Sequence, residues 1–163
     1  MLSPAIAYKI SQPNNAMLVW ALGAIGLEHG LRFLQAMLED SDFSFGMNCY
    51  YDLTACTDID GELSYATEIS DLVNGETAPV LPARTAFILP EENEKVQRVI
   101  QGLVLMFSAS PVEHACYSEE QREVAYSFIG FDTALRDETE RLTKLVLSQD
   151  RSAAAEHGIR WFS

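Results

Sequence analysis

The fold is decided by residues 47–61, which read Met-Asn-Cys-Tyr-Tyr-Asp-Leu-Thr-Ala-Cys-Thr-Asp-Ile-Asp-Gly. The first half is an apolar run with two adjacent tyrosines, and the second half is small, polar and acidic. An apolar run bounded by turn residues is typical of a buried strand that leads into a loop. We therefore predict a central strand over residues 47–53. In an open α/β sheet, ligands and partners are met at the carboxyl ends of such strands, so function is expected near Asp52, Asp58 and Asp60.

The segments on either side of this strand alternate between predicted strands and helices. Short apolar runs bounded by Pro, Gly or Asn predict strands, and apolar residues at helical spacing predict helices. The predicted strands cover residues 8–11, 16–24, 47–53, 83–89 and 112–117, and the predicted helices cover residues 27–39, 60–73, 91–107, 119–129 and 132–148. Right-handed parallel crossovers would place these strands in one sheet with helices packed on it.

The predicted fold class is α/β, with a single mixed, mostly parallel sheet of about five strands, helices in a β-α superhelix, and a C-terminal helical extension. Residues 1–130 are predicted to form the α/β domain, and residues 131–163 the helical extension and tail. An apolar stripe on a helix appended to a complete domain has to be buried somewhere, and a second copy of the chain is a ready partner. We therefore expect a homodimer. The stripe consists of Leu135, Leu142, Leu145 and Val146.

Charge and composition exclude several classes of partner. The 163 residues carry a formal net charge of −13, which repels phosphate backbones and anionic lipid surfaces, so no nucleic acid is expected as a partner. The longest apolar stretch is far shorter than a bilayer span, so no membrane insertion is expected. The three cysteines fit free thiols in a reducing compartment, and the first residues lack the pattern of a signal peptide. We therefore predict a cytoplasmic location.

Three features of the chain carry a family resemblance. The central strand ends in Asp52-Leu53, residues 86–90 have the form Ala-x-x-x-Pro, and the last strand leads into Glu-Glu-x-x-Glu-x-Ala over residues 119–125. With the N-terminal hairpin, this pattern resembles small bacterial proteins of the STAS-like group, related in fold to the sporulation anti-anti-sigma factors and grouped with Sec14-type lipid-binding folds. The resemblance covers roughly residues 8–130. It implies a non-enzymatic protein–protein interaction or regulatory module.

One position departs from the family pattern. Phospho-regulated members carry Asp-Ser-x-Gly at the start of the helix after the central strand, and the Ser is the switch. Here the matching residues read Asp-Gly-Glu-Leu over residues 60–63, so we expect no phosphorylation switch of that kind. The same loop can still serve as a contact surface for a protein partner whose identity the sequence does not give. The predicted interaction surface consists of Asp52, Thr57, Asp58, Asp60 and Glu62.

Two other functions are compatible with the sequence. Aromatic and methionine side chains could line a pocket between the sheet and the first helix for a small apolar, lipid-like ligand. The candidates are Trp20, Phe33, Met37 and Tyr50. His114 and Cys116 lie two apart in a predicted strand, so their side chains share one face and could form a thiol nucleophile with its base. A partly buried imidazole beside a small apolar thiol is the favoured explanation of the same pair.

No cofactor and no metal are expected. An EF-hand register for the acidic loop would put Thr67 at the twelfth position, where a carboxylate is needed. Gly23, Gly26 and Gly30 surround a strand-to-helix turn, but their spacing is not that of a dinucleotide-binding loop.

Overall fold

A computed structural model describes residues 2–44, 46–75 and 83–162 of the chain. Over these residues it contains one mixed sheet of seven strands and six α-helices. The strands are β1 (Ala5–Ser11), β2 (Ala16–Gly26), β3 (Asn48–Asp52), β4 (Cys56–Asp60), β5 (Arg84–Leu89), β6 (Glu113–Ser118) and β7 (Arg160–Phe162). The helices are α1 (Leu27–Glu39), α2 (Leu63–Asn74), α3 (Glu94–Met106), α4 (Arg122–Phe128), α5 (Thr133–Leu147) and α6 (Arg151–Glu156).

The longest strand, β2, organises the sheet, whose order is β6-β5-β3-β2-β1-β7. The first half of β2 pairs in parallel with β3, and its last residues pair in parallel with β4. The register between β2 and β4 shifts at Gly23, which has a φ of +71°. A Cβ at this position would lie 2.8 Å from the carbonyl oxygen of Leu2, so the close approach of the two backbones requires glycine. Through this bend, one strand pairs with two successive partners.

Two parts of the predicted sheet need correction. The described part of the chain forms seven strands rather than about five, and the sheet is mixed rather than mostly parallel, because β1 pairs antiparallel with both of its neighbours, β2 and β7. The additional strand β4 occupies the segment that the sequence predicted as an acidic loop. As a result, the following helix begins at Leu63 and not at residue 60. The surface connection predicted over residues 77–82 lies outside the described residues.

Helices cover both faces of the sheet, and each face has its own apolar core. Side chains of β2 alternate between the two cores, with Leu18 and Trp20 on one face and Met17 and Val19 on the other. The first core is closed by α4 and α5, and the second by α1 and α3. Because both faces are buried, the central strands are apolar almost throughout, as expected for the parallel part of a sheet.

The residues after 130 pack on the same sheet as the rest of the chain. The apolar stripe of α5 is buried in the first core, and the indole nitrogen of Trp20 donates to Thr143 Oγ1 at 2.9 Å. Strand β7 then pairs with β1, from Tyr8↔Arg160 to Ile6↔Phe162. The stripe that the sequence left without a partner is therefore covered within the chain, and it gives no reason to expect a second copy.

Across the residues that the structure describes, none of the helices combines the length and apolar character needed to cross a bilayer.

Candidate functional site

An apolar cavity of about 190 Å³ lies between the sheet and helices α1, α2 and α3. The sheet contributes Val19, Tyr51 and Phe87 to its wall, and the helices contribute Phe33, Leu103 and Phe107. A cavity of roughly 150 Å³ with a similar lining of aliphatic and aromatic side chains stays dry in another protein and binds benzene. The space is therefore large enough for one small organic molecule.

Two observations support the presence of unfilled space between these helices and the sheet. Gly30 lies in α1 at the cavity wall, and a Cβ built on it would meet no atom within 4 Å. Tyr51 and Phe87, whose ring centroids are 5.1 Å apart, lie in central strands beneath the helices but are only partly buried. Their rings keep accessible area because they border the cavity.

One end of the cavity wall is polar. Cys49, Thr85 and His114 occupy paired positions on β3, β5 and β6, and all three line the cavity. Burial raises the pKa of the Cys49 thiol to about 12, although a hydrogen bond from Thr85 offsets part of this shift. Burial also lowers the pKa of His114 to about 4, against a hydrogen bond with the backbone of Val112 that raises it. These groups are therefore uncharged near neutral pH.

The four side chains that the sequence predicted for an apolar pocket lie in different places. Phe33 lines the cavity, and Met37 is buried in the same core but is not part of the cavity wall. Trp20 and Tyr50 face the opposite side of the sheet, where Tyr50 stacks on Tyr126 with ring centroids 5.5 Å apart. Strand alternation explains the difference, because Trp20 and Tyr50 belong to the set of positions that faces α4 and α5.

Asp52 is buried and not part of an exposed interaction surface. It is only 3% exposed, and its carboxylate accepts hydrogen bonds from the Tyr50 hydroxyl at 2.9 Å and from the Thr54 hydroxyl at 2.6 Å. Arg122, from α4, completes the network with an ion pair of 3.3 Å. Burial and the neighbouring Asp52 raise the pKa of the Tyr50 hydroxyl, so that it remains a donor. Asp52 also borders the cavity, but the partners of its carboxylate stabilise the fold.

The other residues of the predicted interaction surface lie along β4 and the turn that follows it. Thr57, Asp60 and Glu62 are exposed. Asp58 forms an ion pair of 2.7 Å with Lys95 of α3, and the backbone carbonyl of Thr57 accepts a hydrogen bond from α3's N-cap side chain. These contacts anchor β4 to α3 and leave its acidic side chains largely in solvent.

The environment of Cys116 and His114 works against a thiol nucleophile. The two side chains share one face of β6, as the spacing predicts. Burial raises the pKa of Cys116 to about 11 and lowers that of His114 to about 4. An activated pair needs the opposite shifts, a lowered thiol pKa and a charged or strongly basic imidazole. Within the described ranges, no group of three or more His, Cys, Asp or Glu side chains is arranged to hold a metal ion.

Most residues of the cavity wall were not among the predicted site residues. The alternation of Cys49, Tyr51 and Leu53 along the central strand was a signal for one shared face, and Gly30 on the inner side of an amphipathic helix was a signal for missing volume.

No protein-family model, curated protein or solved structure matches this chain. The resemblance to the STAS-like group therefore stays a prediction, and the function has to be argued from the geometry.

Proposed function

We propose that this chain binds one small apolar molecule in the cavity under α1, α2 and α3, and that it acts as a carrier or sensor and not as an enzyme. The observation that carries the proposal is the cavity itself, about 190 Å³ of open space lined by aliphatic and aromatic side chains. Protein interiors are close-packed, and an unfilled apolar space forfeits contacts that a ligand would restore. An apolar pocket of this size, partly open to solvent, is therefore well suited to an occupant that covers its wall.

The size of the cavity sets the size and affinity of its ligand. A cavity of roughly 150 Å³ binds benzene, which has six non-hydrogen atoms. The cavity of about 190 Å³ is slightly larger, so its ligand should have about eight non-hydrogen atoms. Ligands this small typically bind with a Kd of about 0.1–1 mM, which corresponds to about 4–5.5 kcal/mol. At ten times the Kd, such a ligand stabilises the folded chain by about 1.4 kcal/mol. For a domain of this length, that raises the Tm by about 3–6 °C.

The test is a titration with ethylbenzene, followed by thermal denaturation and by NMR of the cavity methyl groups. Gly30→Leu is the variant that fills the cavity, since its side chain would enter the open space beside α1. Gly102→Leu is the matched control, because Gly102 also lies inside a helix with no atom within 4 Å of a built Cβ but is not part of the cavity wall. Both changes improve helix propensity by a similar amount.

We expect ethylbenzene to raise the Tm of the wild type and of Gly102→Leu, and to leave the Tm of Gly30→Leu unchanged. Equal shifts in both variants would mean that the ligand binds elsewhere, and no shift in any of the three proteins would refute the proposal.

A second candidate function is protein docking on the acidic strand β4, as the resemblance to the STAS-like group implies. The observation that favours it is the exposure of Thr57, Asp60 and Glu62 on neighbouring positions. In this proposal the chain is a cytoplasmic, non-enzymatic regulatory module, and it can bind its partner as a homodimer or as a single copy. The partner would present a basic surface, since the docking residues are acidic.

Charge reversal tests this second candidate. Asp58→Lys combined with Asp60→Lys should abolish the capture of a specific partner, while reversal of the exposed Asp137 on α5 should not. Asp60→Lys alone is the cleaner change, because Asp58 is also paired with Lys95. A partner that is captured equally by all of these proteins does not dock on β4.

A further inference from the structure

The polar end of the cavity forms a short row across three strands. Cys49 pairs with Thr85, and Thr85 pairs with His114, so that the three side chains lie side by side on β3, β5 and β6. Neighbouring strands are about 5 Å apart, so the row spans about 10 Å. Two residues further along the same strands, Tyr51 and Phe87 present aromatic rings to the cavity. The cavity wall thus changes from polar to apolar over two residues of each strand.

The polar row is uncharged. The Cys49 thiol has a pKa of about 12 and the His114 imidazole a pKa of about 4, both because of burial, and Thr85 is a neutral alcohol that is 6% exposed. None of the cavity-lining residues in the described part of the chain is lysine or arginine. An anionic group placed here would lose its hydration without gaining a counter-charge, which is strongly unfavourable.

The row nevertheless offers hydrogen bonds. The His114 ring is hydrogen-bonded to the backbone of Val112 and lies against Phe107, with ring centroids 4.9 Å apart. In a neutral imidazole that donates through one nitrogen, the other nitrogen is an acceptor. The Thr85 hydroxyl can both donate and accept, and its neighbour Cys49 offers only a sulfur, a weak acceptor that a ligand oxygen can replace. A ligand hydroxyl can therefore donate a hydrogen bond to His114 and accept one from Thr85.

We propose that the ligand of this cavity is a small uncharged alcohol or phenol, whose apolar body lies against Tyr51 and Phe87 and whose hydroxyl lies against Thr85 and His114. This inference rests on the proposed ligand binding and adds the chemical class of the ligand. The reason for choosing this class is selectivity. A site with buried hydrogen-bonding groups favours a ligand with a matching group, because an analogue without that group leaves them unpaired.

The experiment compares probes of matched size. Ethylbenzene and benzyl alcohol have similar shapes and differ in one terminal group, a methyl in the first and a hydroxyl in the second, and benzoate carries a charge at the same end. Their Kd values are measured by NMR titration for the wild type and for Thr85→Val, a change that keeps the shape of the side chain and removes its hydroxyl. Thr139→Val is the matched control, because Thr139 is buried on the opposite face of the sheet and its hydroxyl donates within α5. Thr85→Ser keeps the hydroxyl and should retain wild-type selectivity.

We expect Thr85→Val to weaken benzyl alcohol about 2- to 12-fold, in line with the loss of one hydrogen bond, and to leave ethylbenzene unchanged or slightly tighter. Thr139→Val should change neither affinity, and benzoate should not bind. If Thr85→Val does not fold, His114→Phe removes the acceptor next to it and should show the same selective loss.

Three outcomes overturn the inference. Equal weakening of both probes would show that Thr85 acts through packing alone, and binding of benzoate would show that the site accepts a charge. Ethylbenzene binding without benzyl alcohol binding would leave the proposed function intact and refute the alcohol class. If no probe binds to any of the proteins, the proposed function itself fails.

Discussion

Replacing Gly30 with alanine measures the open space beside α1 through its effect on stability. Gly30 lies inside this helix, and an added Cβ would contact nothing within 4 Å. Exchange of glycine for alanine in a helix gains about 0.8–1.0 kcal/mol of helix propensity. The new methyl group would also enter the apolar cavity, which adds up to about 0.8 kcal/mol. We therefore expect Gly30→Ala to stabilise the chain by about 1–2 kcal/mol.

The control for this change is Gly102→Ala in α3. Gly102 has the same freedom around its Cβ but does not line the cavity, so only the propensity gain of about 1 kcal/mol is expected. Urea unfolding of the wild type and both variants gives the comparison, with an unchanged m-value as the condition for a pure stability effect. Thermal midpoints should rise by about 2–4 °C for each kcal/mol. If Gly30→Ala is less stable than the wild type, or gains less than Gly102→Ala, the space beside α1 is not open and the cavity argument fails.

Three further predictions concern ionisable groups that are buried or partly buried. Asp52→Ala should destabilise the chain by about 3 kcal/mol in urea unfolding, because it removes the acceptor of a buried network. Asp58→Ala is the control: it breaks an exposed ion pair and should change stability by less than about 1 kcal/mol. Burial lowers the pKa of His114 from 6.5 to about 4, so that between these pH values the imidazole is protonated in the unfolded chain but not in the folded one. Stability should therefore fall by up to about 1.4 kcal/mol per pH unit as the pH drops from 6.5 to about 4. His114→Gln should lose this part of the pH dependence in unfolding curves, and His157→Gln, at an exposed site, should keep it. Because burial raises the pKa of Cys116 to about 11, its alkylation by iodoacetamide should be slow at pH 7 and should accelerate as the pH rises. Fast labelling at pH 7 would contradict this prediction and support a thiol-dependent enzyme.

The elements with a strong repeat could be predicted from the sequence, and those held by distant pairing could not. The helix predicted over residues 27–39 is confirmed at both ends, since its apolar residues recur at helical spacing. Strand β4 contains two aspartates, which are rare in strands, and it forms because the end of β2 is available for pairing. Strand β7 has only three residues and depends on β1, far away in sequence. Local pattern carries no information about such partners.

Of the four side chains that the sequence grouped in an apolar pocket, Phe33 lies at the cavity wall and the other three do not. Although Trp20 and Tyr50 lie on the opposite face of the sheet from the cavity, the sequence grouped them with Phe33 in one pocket. It could not show which set of positions faces α1, because helices cover both faces and both sets are apolar. Phe33 was placed correctly because it belongs to α1 itself. The polar row was missed because Cys49, Thr85 and His114 lie on separate strands and meet only through the register of the sheet.

The pairing of β1 with β7 has a consequence for the synthesis of the protein. The hairpin of β1 and β2 emerges from the ribosome before Arg160–Phe162, the strand that covers the outer edge of β1. At about 5–20 residues per second, roughly 10–30 s of translation separate the two events. During this interval the nascent chain exposes an apolar edge strand, which is a template for pairing with other chains. The chain can therefore complete its sheet only after translation of β7, and until then the edge of β1 is open to pairing with other chains.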